Sequence, residues 1–120
     1  MGFRAGAADE DYCYLTTTGR VSGLPREIEI WFGLNDGTLY MLSGGGERSH
    51  WVKNIRREPT VTVRIGDVTF EGHGRFVEDE GEAELARRML FDKYQPTYRS
   101  DLTSWRRRSL PVAVDLGARA

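Results

Sequence analysis

The chain has 120 residues, a length that predicts one domain with one hydrophobic core. Apolar residues make up 39%, charged residues make up 29%, and the formal net charge is −1. Overall charge therefore gives no reason to expect nucleic acid or an anionic membrane as a partner. The single cysteine, Cys13, excludes an intrachain disulfide and a multi-cysteine metal site, and its apolar neighbours predict a small buried side chain.

The N-terminal residues 1–11 are rich in glycine and alanine and then acidic, and they lack the apolar core of a signal peptide. No apolar run approaches the ~20 residues that a membrane helix needs. We therefore expect a flexible tail over residues 1–11, a single domain over residues 12–117 and a cytoplasmic location, with no indicated membrane association.

The first third of the chain predicts three strands. Tyr12–Thr18 is aromatic and β-branched, and Arg26–Phe32 alternates with a period of two. Between them, Gly19–Pro25 is a cluster of turn residues. The tight-turn signal Asn35-Asp36-Gly37 precedes a third strand over Leu39–Ser43. The alternation places Ile28, Ile30 and Phe32 on one face and Glu27, Glu29 and Trp31 on the other.

The rest of the chain predicts two helices and three more strands. The helices cover Glu47–Glu58, which Pro59 ends, and Asp79–Tyr94, which has an apolar stripe. Gln95–Ser109 is expected to be irregular or a short helix. Two glycines in the fifth strand, Gly72 and Gly74, indicate a bend or a close backbone approach. The three strands are Thr60–Ile65, Val68–Val77 and Pro111–Leu116.

Six short strands with short connections favour an antiparallel sheet. Few helices are available to cover that sheet, so closure into a barrel is favoured because it removes exposed edges.

Two arginines, Arg20 and Arg26, flank the Gly/Pro-rich segment of the first hairpin. Paired guanidiniums can grip a phosphate or carboxylates with forked hydrogen bonds, and the nearby hydroxyls of Thr18 and Ser22 add donors. A plain hairpin with solvated arginines is the alternative.

A second candidate is the run Ser43-Gly44-Gly45-Gly46, which stands between a strand and a helix. Its amides can form an anion-binding nest or hold the carbonyl edge of a flat heterocycle; a flexible loop is the alternative. No dinucleotide-binding fingerprint, P-loop or nucleophile elbow is present. The histidines His50 and His73 lack partners at ligand spacing, so we expect no metal site.

The helix after this loop carries Arg48, Trp51, Lys53 and Asn54. Its basic residues can form a binding patch or a solvated helix face, and Trp51 is expected to pack in the core. After the long helix, Tyr94, Tyr98 and Trp105 can stack on a substrate, donate a proton to it, or plug the barrel.

Together these motifs resemble the deazaflavin-dependent nitroreductases of the flavin-binding split-barrel superfamily. The resemblance begins with Leu15–Arg20, Ser22-Gly23 and Pro25-Arg26, and continues through Leu39–Ser43, Trp51, Asn54, Pro59 and the Pro-Val-Ala-Val ending. It departs from many relatives at Gly44, where they have a lysine, and at Glu27-Ile28-Glu29, where they have a proline.

This resemblance implies a mainly β (α+β) fold, a six-stranded antiparallel split β-barrel with two or three flanking helices. It implies coenzyme F420, a deazaflavin with a phosphate and an oligoglutamate tail. Arg20 and Arg26 would hold the phosphate and tail, and Ser43–Gly45 would face the ring. The implied cofactor-binding residues are Thr18, Gly19, Arg20, Ser22, Arg26, Ser43, Gly44, Gly45, Arg48, Trp51, Lys53 and Asn54; the catalytic candidates are Tyr98, Tyr94 and Ser43.

The expected activity is hydride transfer from reduced F420 to a small electron acceptor, a nitroaromatic, quinone or unsaturated lactone. The protein would supply binding and orientation, because the cofactor carries the hydride chemistry. The alternatives are an FMN-dependent oxidoreductase of the same fold and a protein that binds a deazaflavin or an apolar ligand without turnover. A monomer or a homodimer is expected.

Overall fold

A computed structural model describes the backbone of residues 6–119 and the side chains of residues 6–117. Within these residues the chain forms seven strands and three α-helices. They follow the predicted order, with one strand more than the six predicted. The strands are β1 (Cys13–Thr18), β2 (Pro25–Ile30), β3 (Gly33–Asn35), β4 (Thr38–Ser43), β5 (Thr60–Ile65), β6 (Val68–Phe76) and β7 (Leu110–Arg119); the helices are α1 (His50–Arg57), α2 (Glu80–Tyr94) and α3 (Thr103–Arg108).

The strands form one antiparallel sheet in the order β2-β1-β5-β6-β7-β4-β3. Strands β2 and β3 therefore lie at opposite edges, although only Trp31 and Phe32 separate them in the chain. Three residue steps span at most about 11 Å, so the two edges approach each other and the sheet curls. The predicted class, a mainly β split barrel with flanking helices, is confirmed, with seven strands instead of six.

The additional strand is β3, which the sequence did not reveal. It has three residues, too few to show an alternating pattern, and it ends at the turn that Asn35 begins. Its first residue, Gly33, lies under α2: a Cβ at this position would be 2.5 Å from the sulfur of Met89. Packing by α2 therefore accounts for the glycine, a residue that weakens a strand prediction.

Of the two segments that hold the short helices, the first differs from expectation, whereas the second is irregular with a short helix, as predicted. The predicted helix over Glu47–Glu58 is a 3₁₀ turn at Gly46–Arg48 followed by α1, because Ser49 adopts an extended backbone between them. The segment Gln95–Ser109 contains a 3₁₀ turn and then α3.

The barrel interior is filled by one side of the sheet together with α1. Leu39 and Met41 point inward from β4, and Val52 and Ile55 of α1 join them; all four are at most 1% exposed. The cluster is completed by Cys13, Leu15, Phe32, Val61, Val63, Ile65, Val112 and Val114. Helix α1 is therefore part of the core, and its position is set by apolar burial.

The outer side of β4 and β7 is covered by α2. Tyr40 and Leu42 alternate with the inward-facing residues of β4 and pack against Ala86, Leu90 and Tyr94. Both faces of this part of the sheet are buried, which explains the continuous apolar runs of these strands.

The glycines of β6 mark close contacts, as the sequence indicated. A Cβ on Gly72 would overlap the Val114 side chain, and the pairing of β6 with β7 shifts register between Phe70 and Gly72. A Cβ on Gly74 would be 2.8 Å from Cγ2 of Ile55, so this glycine lets α1 lie against the sheet.

The crossing from β2 to β3 is held from outside by α2. The Tyr94 hydroxyl accepts a hydrogen bond from Phe32 N at 3.0 Å and lies 3.2 Å from Phe32 O. Lys93 Nζ donates to the same carbonyl at 3.0 Å and lies 3.7 Å from the centroid of the Phe32 ring. Burial raises the pKa of Tyr94 and lowers that of Lys93 to about 8. The main-chain N–H and C=O of Phe32 thus have side-chain partners on α2, although this residue lies outside the strands.

The N-terminal prediction is only partly covered, because residues 1–5 lie outside the described residues. Ala7–Asp9 form a 3₁₀ turn, Ala7 packs against the interior cluster, and Asp11 O accepts a hydrogen bond from Tyr94.

Cys13 is fully buried, as predicted, and burial raises the pKa of its thiol to about 12. No helix in the described range is long and apolar enough to span a membrane.

A charged cluster joins α2 to the sheet. Arg75 of β6 contacts Glu82 of α2 at 2.6 Å and Asp115 of β7 at 2.7 Å, and the Tyr40 hydroxyl donates to Glu82 at 2.6 Å. The hydrogen bonds from Arg75 and Tyr40 lower the pKa of Glu82 to about 2, and Arg75 also lowers the pKa of Asp115. Folding therefore favours the ionised form of both carboxyls.

The stability of the fold is expected to depend on this cluster below about pH 4.5. A carboxyl whose pKa is lower in the folded state contributes stability above its unfolded pKa and loses it as the pH falls through the folded value, here about 2 for Glu82. The urea midpoint should fall more between pH 5 and pH 2.5 in the wild type than in Glu82→Gln. Glu80→Gln, an exposed change on the same helix, serves as the control; equal acid sensitivity of all three proteins would contradict the assignment.

Candidate functional site

The loop between β1 and β2 is closed by its own main chain. Gly19 N donates to Leu24 O and Gly23 N donates to Gly19 O, both at 2.8 Å. Gly23 has a φ of +74°, and a Cβ on Gly19 would be 2.7 Å from Ser22 Oγ. Both glycines are therefore required by this tight turn. The Ser22 hydroxyl accepts hydrogen bonds from Leu24 N at 3.1 Å and from Arg26 Nη2 at 3.3 Å, which ties the second arginine to the loop.

The first arginine is held by Asn54 of α1. Asn54 Oδ1 accepts from Arg20 N at 3.1 Å and from Arg20 Nη1 at 2.9 Å, while Asn54 Nδ2 donates to Thr17 Oγ1 at 3.0 Å. Asn54 is 4% exposed, so its amide is committed to these partners. Through this one side chain, Asn54 connects α1 to β1 and to the β1–β2 loop.

His50, the first residue of α1, completes the contacts of Arg20. Its Nδ1 lies 3.2 Å from Arg20 Nη2, and its carbonyl oxygen lies 3.4 Å from Arg20 Nη1. Arg20 therefore has a fixed guanidinium plane, which lowers the entropy cost of binding an anion.

A cavity of about 470 Å³ opens between this loop and α1. Its walls combine positive charge with apolar surface, and none of the described residues that line it is acidic. Such a wall suits a ligand that combines an anionic group with an apolar part. The lining residues are Thr17, Gly19, Arg20, Val21, Ser22, Arg26, Ile28, His50, Trp51 and Asn54.

A second cavity of about 290 Å³ lies beside the first and shares the loop with it. Thr18 lines this second cavity together with Arg57 and Glu58. Arg20 borders both cavities, so the basic surface continues along the loop.

The glycine run after β4 is held by serine hydroxyls. Ser43 Oγ donates to Gly46 O at 2.9 Å and lies 2.8 Å from Ser49 Oγ; the Ser43 residue is 1% exposed. Gly44 and Gly45 are exposed. A Cβ on Gly45 would be 2.6 Å from Ser49 Oγ, and a Cβ on Gly44 would be 3.6 Å from the indole of Trp105. Hydrogen bonds and close contacts thus hold this loop in place next to α3.

An aromatic cluster lies on the α3 side of the glycine run. Trp31 stacks on Tyr94, with ring centroids 4.2 Å apart, and meets Tyr98 and Trp105 edge-on at 5.3 and 5.5 Å. Tyr94 is 6% exposed, whereas Tyr98 is 47% exposed. Trp31 therefore packs among aromatic rings, whereas the sequence pattern grouped it with two exposed glutamates.

The structure brings about half of the predicted cofactor-binding residues to the larger cavity: Gly19, Arg20, Ser22, Arg26, Trp51 and Asn54. Thr18 borders the smaller cavity. Ser43, Gly44 and Gly45 lie at the end of β4 and in the segment that leads to α1, and they line neither cavity. Arg48 and Lys53 are exposed and line neither cavity. Of the catalytic candidates, Tyr98 is exposed, while Tyr94 and Ser43 are buried and hydrogen-bonded to main-chain oxygens.

Sequence reasoning left four of the lining residues out of the predicted site: Thr17, Val21, Ile28 and His50. His50 stands four residues before Asn54, and residues at this spacing share a helix face, so its position could have been inferred once Asn54 was chosen. Val21 is 94% exposed at the loop tip and gives no such signal. In the described part of the chain, no group of three His, Cys, Asp or Glu side chains could hold a metal ion.

The curled antiparallel sheet, with a basic and partly apolar cavity between the β1–β2 loop and α1, defines a protein of the split-barrel class. The structure of an F420-H2 dependent reductase, FDR-A, is 27% identical, with a TM-score of 0.69 over 89% of this chain and 94% of that one. The structure of an F420 reductase is 17% identical, with a TM-score of 0.72 over 100% and 97%. Conserved hypothetical protein Rv2991 from Mycobacterium tuberculosis is 22% identical, with a TM-score of 0.74 over 100% and 82%. The last two show the shared fold.

The family model for the F420H(2)-dependent quinone reductases matches residues 5–117, and the chain belongs to this family. It is an F420-dependent reductase, and its cofactor is coenzyme F420. The cavity fits this cofactor chemically: its guanidiniums suit the phosphate and glutamate carboxylates, and its Trp51 and Ile28 side chains add apolar surface beside them.

The Asn54→Asp variant tests the charge of Arg20 while it keeps the hydrogen bond that orients this side chain. The aspartate keeps an oxygen for Arg20 and can accept a hydrogen bond from the Thr17 hydroxyl, but it places a negative charge beside the guanidinium. We expect F420 affinity to fall about tenfold, which corresponds to ~1.4 kcal/mol, with a small change in melting temperature. Fluorescence titration and thermal unfolding measure the two effects.

Asn35→Asp adds the same charge at an exposed turn and is the matched control. Unchanged affinity in Asn54→Asp would show that Arg20 does not contact the cofactor.

Proposed function

We propose that this protein transfers a hydride from reduced F420 to a small conjugated electrophile: a quinone, a nitroaromatic compound or an unsaturated lactone. The observation that supports this most directly is the cavity bounded by Arg20, Arg26 and His50, which has no acidic lining residue among those described. The bound cofactor supplies the hydride, and the side chains of this protein bind, orient and protonate.

Two arginines support the binding of the anionic part of the cofactor. Arg20 is oriented by Asn54 and His50, and Arg26 is tied to Ser22. Charge-assisted hydrogen bonds from such pre-oriented guanidiniums are stronger than those of solvated ones. The exposed Arg48 and Lys53 would attract the same negative charge over a longer distance, and Thr18 would border it from the neighbouring cavity.

The ring is proposed to lie against the glycine loop. Gly44 and Gly45 lack side chains that would obstruct the approach of a flat ring, and the buried Ser43 hydroxyl holds the loop through Gly46 O. Main-chain amides aimed at the ring edge would stabilise negative charge that develops there. In this proposal Ser43 acts as a positioning residue.

The acceptor is proposed to bind beside the aromatic cluster of Trp31, Tyr98 and Trp105. The Trp105 indole adjoins Gly44, so these rings border the loop where the hydride would be delivered. Aromatic surfaces favour flat conjugated molecules through stacking and edge contacts.

Tyr98 is the proposed proton donor. A quinone that accepts a hydride needs one further proton to become a hydroquinone, and the exposed Tyr98 phenol can donate it and regain one from water. The Tyr94 hydroxyl is bound to Phe32 and Asp11 O, so Tyr94 would position Trp31 by stacking. A cytoplasmic location belongs to this proposal, since the only cysteine is free and buried.

The activity is tested with reduced F420 and menadione, followed by the absorbance of oxidised F420. Oxidation that saturates with menadione supports the proposal. Binding of F420 without turnover on quinone, nitroaromatic and lactone acceptors would identify a carrier. Tighter binding of FMN than of F420 would overturn the cofactor assignment.

Replacement of both arginines, Arg20→Ala with Arg26→Ala, should weaken F420 binding by a hundredfold or more. Each charged hydrogen bond lost costs on the order of 1.5–3 kcal/mol. The dissociation constant from fluorescence titration is the measurement. The double change Arg88→Ala with Arg108→Ala, at exposed positions outside both cavities, removes the same charge; this matched control should bind F420 as the wild type does. Near-equal affinity of the double variant would refute the placement of the anionic tail.

Tyr98→Phe removes the phenol oxygen but keeps the ring that meets Trp31. We expect kcat to fall about a hundredfold, the lower end of general acid catalysis, with F420 affinity unchanged. Steady-state rates across pH measure this. Tyr12→Phe, a change at a 44% exposed tyrosine outside both cavities, is the control. A wild-type kcat in Tyr98→Phe would mean that water supplies the proton.

A further inference from the structure

A groove of about 340 Å³ separates α2 from α3, away from the residues of the two cavities described above. Three arginines line it: Arg87 from α2, and Arg106 and Arg107 from α3. Thr103 and Glu84 complete the lining. Three guanidiniums in one groove repel one another unless negative charge compensates them.

Only part of this charge is compensated within the described residues. Arg106 Nη2 contacts Glu84 Oε2 at 2.6 Å, and its guanidinium lies over the Phe91 ring at 5.1 Å. Among the residues that the structure describes, Arg87 and Arg107 have no carboxylate within ion-pair distance. The groove therefore carries two uncompensated positive charges.

Arg87 is anchored in a way that keeps its charge in place. Its Nη2 donates to Ser109 O at 3.1 Å, which joins α2 to the residue before β7. Its Nε is buried and has no hydrogen-bond partner among the described residues, and the same holds for the hydroxyl of Ser109, which is 1% exposed. Polar groups left unpaired at a buried junction are costly, and they indicate a place where a further acceptor would be stabilising.

The helical period places different residues of α3 at the groove and at the glycine loop. At 100° per residue, Thr103, Arg106 and Arg107 share one side of this helix, while Trp105 points to the opposite side and adjoins Gly44. An anion that bridges α2 and α3 would therefore also restrain the tryptophan next to the glycine loop.

We propose that this groove is a second anion site, which binds a small doubly charged oxyanion between Arg87 and Arg107. Guanidiniums recognise phosphate and carboxylate oxygens through the same forked hydrogen bonds. A phosphate group and a dicarboxylate share this chemistry, and the volume accommodates either one. The site is separate from the Arg20 and Arg26 cavity and does not depend on the cofactor assignment.

Isothermal titration with inorganic phosphate and, separately, with succinate tests the proposal at a constant chloride concentration. We expect saturable binding of one anion per chain, and the tighter of the two probes identifies the class of oxyanion. Arg107→Gln should weaken this binding about tenfold or more, because it removes one of the two uncompensated guanidiniums. Arg108→Gln, on the adjacent exposed arginine outside the groove, is the control and should bind like the wild type.

Three outcomes would overturn the site. Equal loss in Arg107→Gln and Arg108→Gln, or no saturable heat with either probe, would show that the arginines only balance the end of α3. Competition between phosphate and F420, with loss of phosphate binding in the Arg20→Ala and Arg26→Ala double variant, would place the anion in the cofactor cavity. Retention of phosphate binding by that double variant supports the second site even if F420 does not bind this protein.

Discussion

The two-residue crossing at Trp31 and Phe32 is the constraint on which the rest of the structure depends. It joins strands at opposite edges of the sheet, so the sheet must curl until those edges meet. Main-chain groups that leave the strand ladder need other partners, and Tyr94 and Lys93 provide them from α2. The same crossing orients Trp31 toward Tyr98 and Trp105, so barrel closure and the aromatic cluster have a common origin.

Helix α1 connects the core to the site. Val52 and Ile55 fill the barrel interior, and Asn54, between them in sequence, directs its amide to Arg20 and Thr17. The position of the Arg20 guanidinium thus follows from the packing of apolar side chains on the other side of the same helix. The candidate site has a rigid base because moving α1 would open the core.

Sequence patterns anticipated the elements that repeat a pattern over several residues. The alternation in β5 and the apolar stripe of α2 were sufficient to predict these two elements, and the glycines of β6 correctly indicated close contact. Strand β3 was not predicted because three residues are too few to show an alternating pattern. Its glycine is explained only by the packing of Met89 against it. In the candidate site, Arg20 and Arg26 were found from the turn that separates them, whereas His50 was left out although it shares a helix face with Asn54.

The sequence by itself determined the class of fold, the Gly-rich hairpin with its two arginines and, through its motifs, the family, because these depend on local residue types and spacing. The tertiary structure alone decided which groups meet: Tyr94 with Phe32, Asn54 with Arg20, Trp105 with Gly44, and the arginines of α2 with those of α3. The physical reason is that each of these contacts joins elements distant in the chain. Its distance is set by how the barrel closes and how the helices pack on it, which no short stretch of sequence specifies.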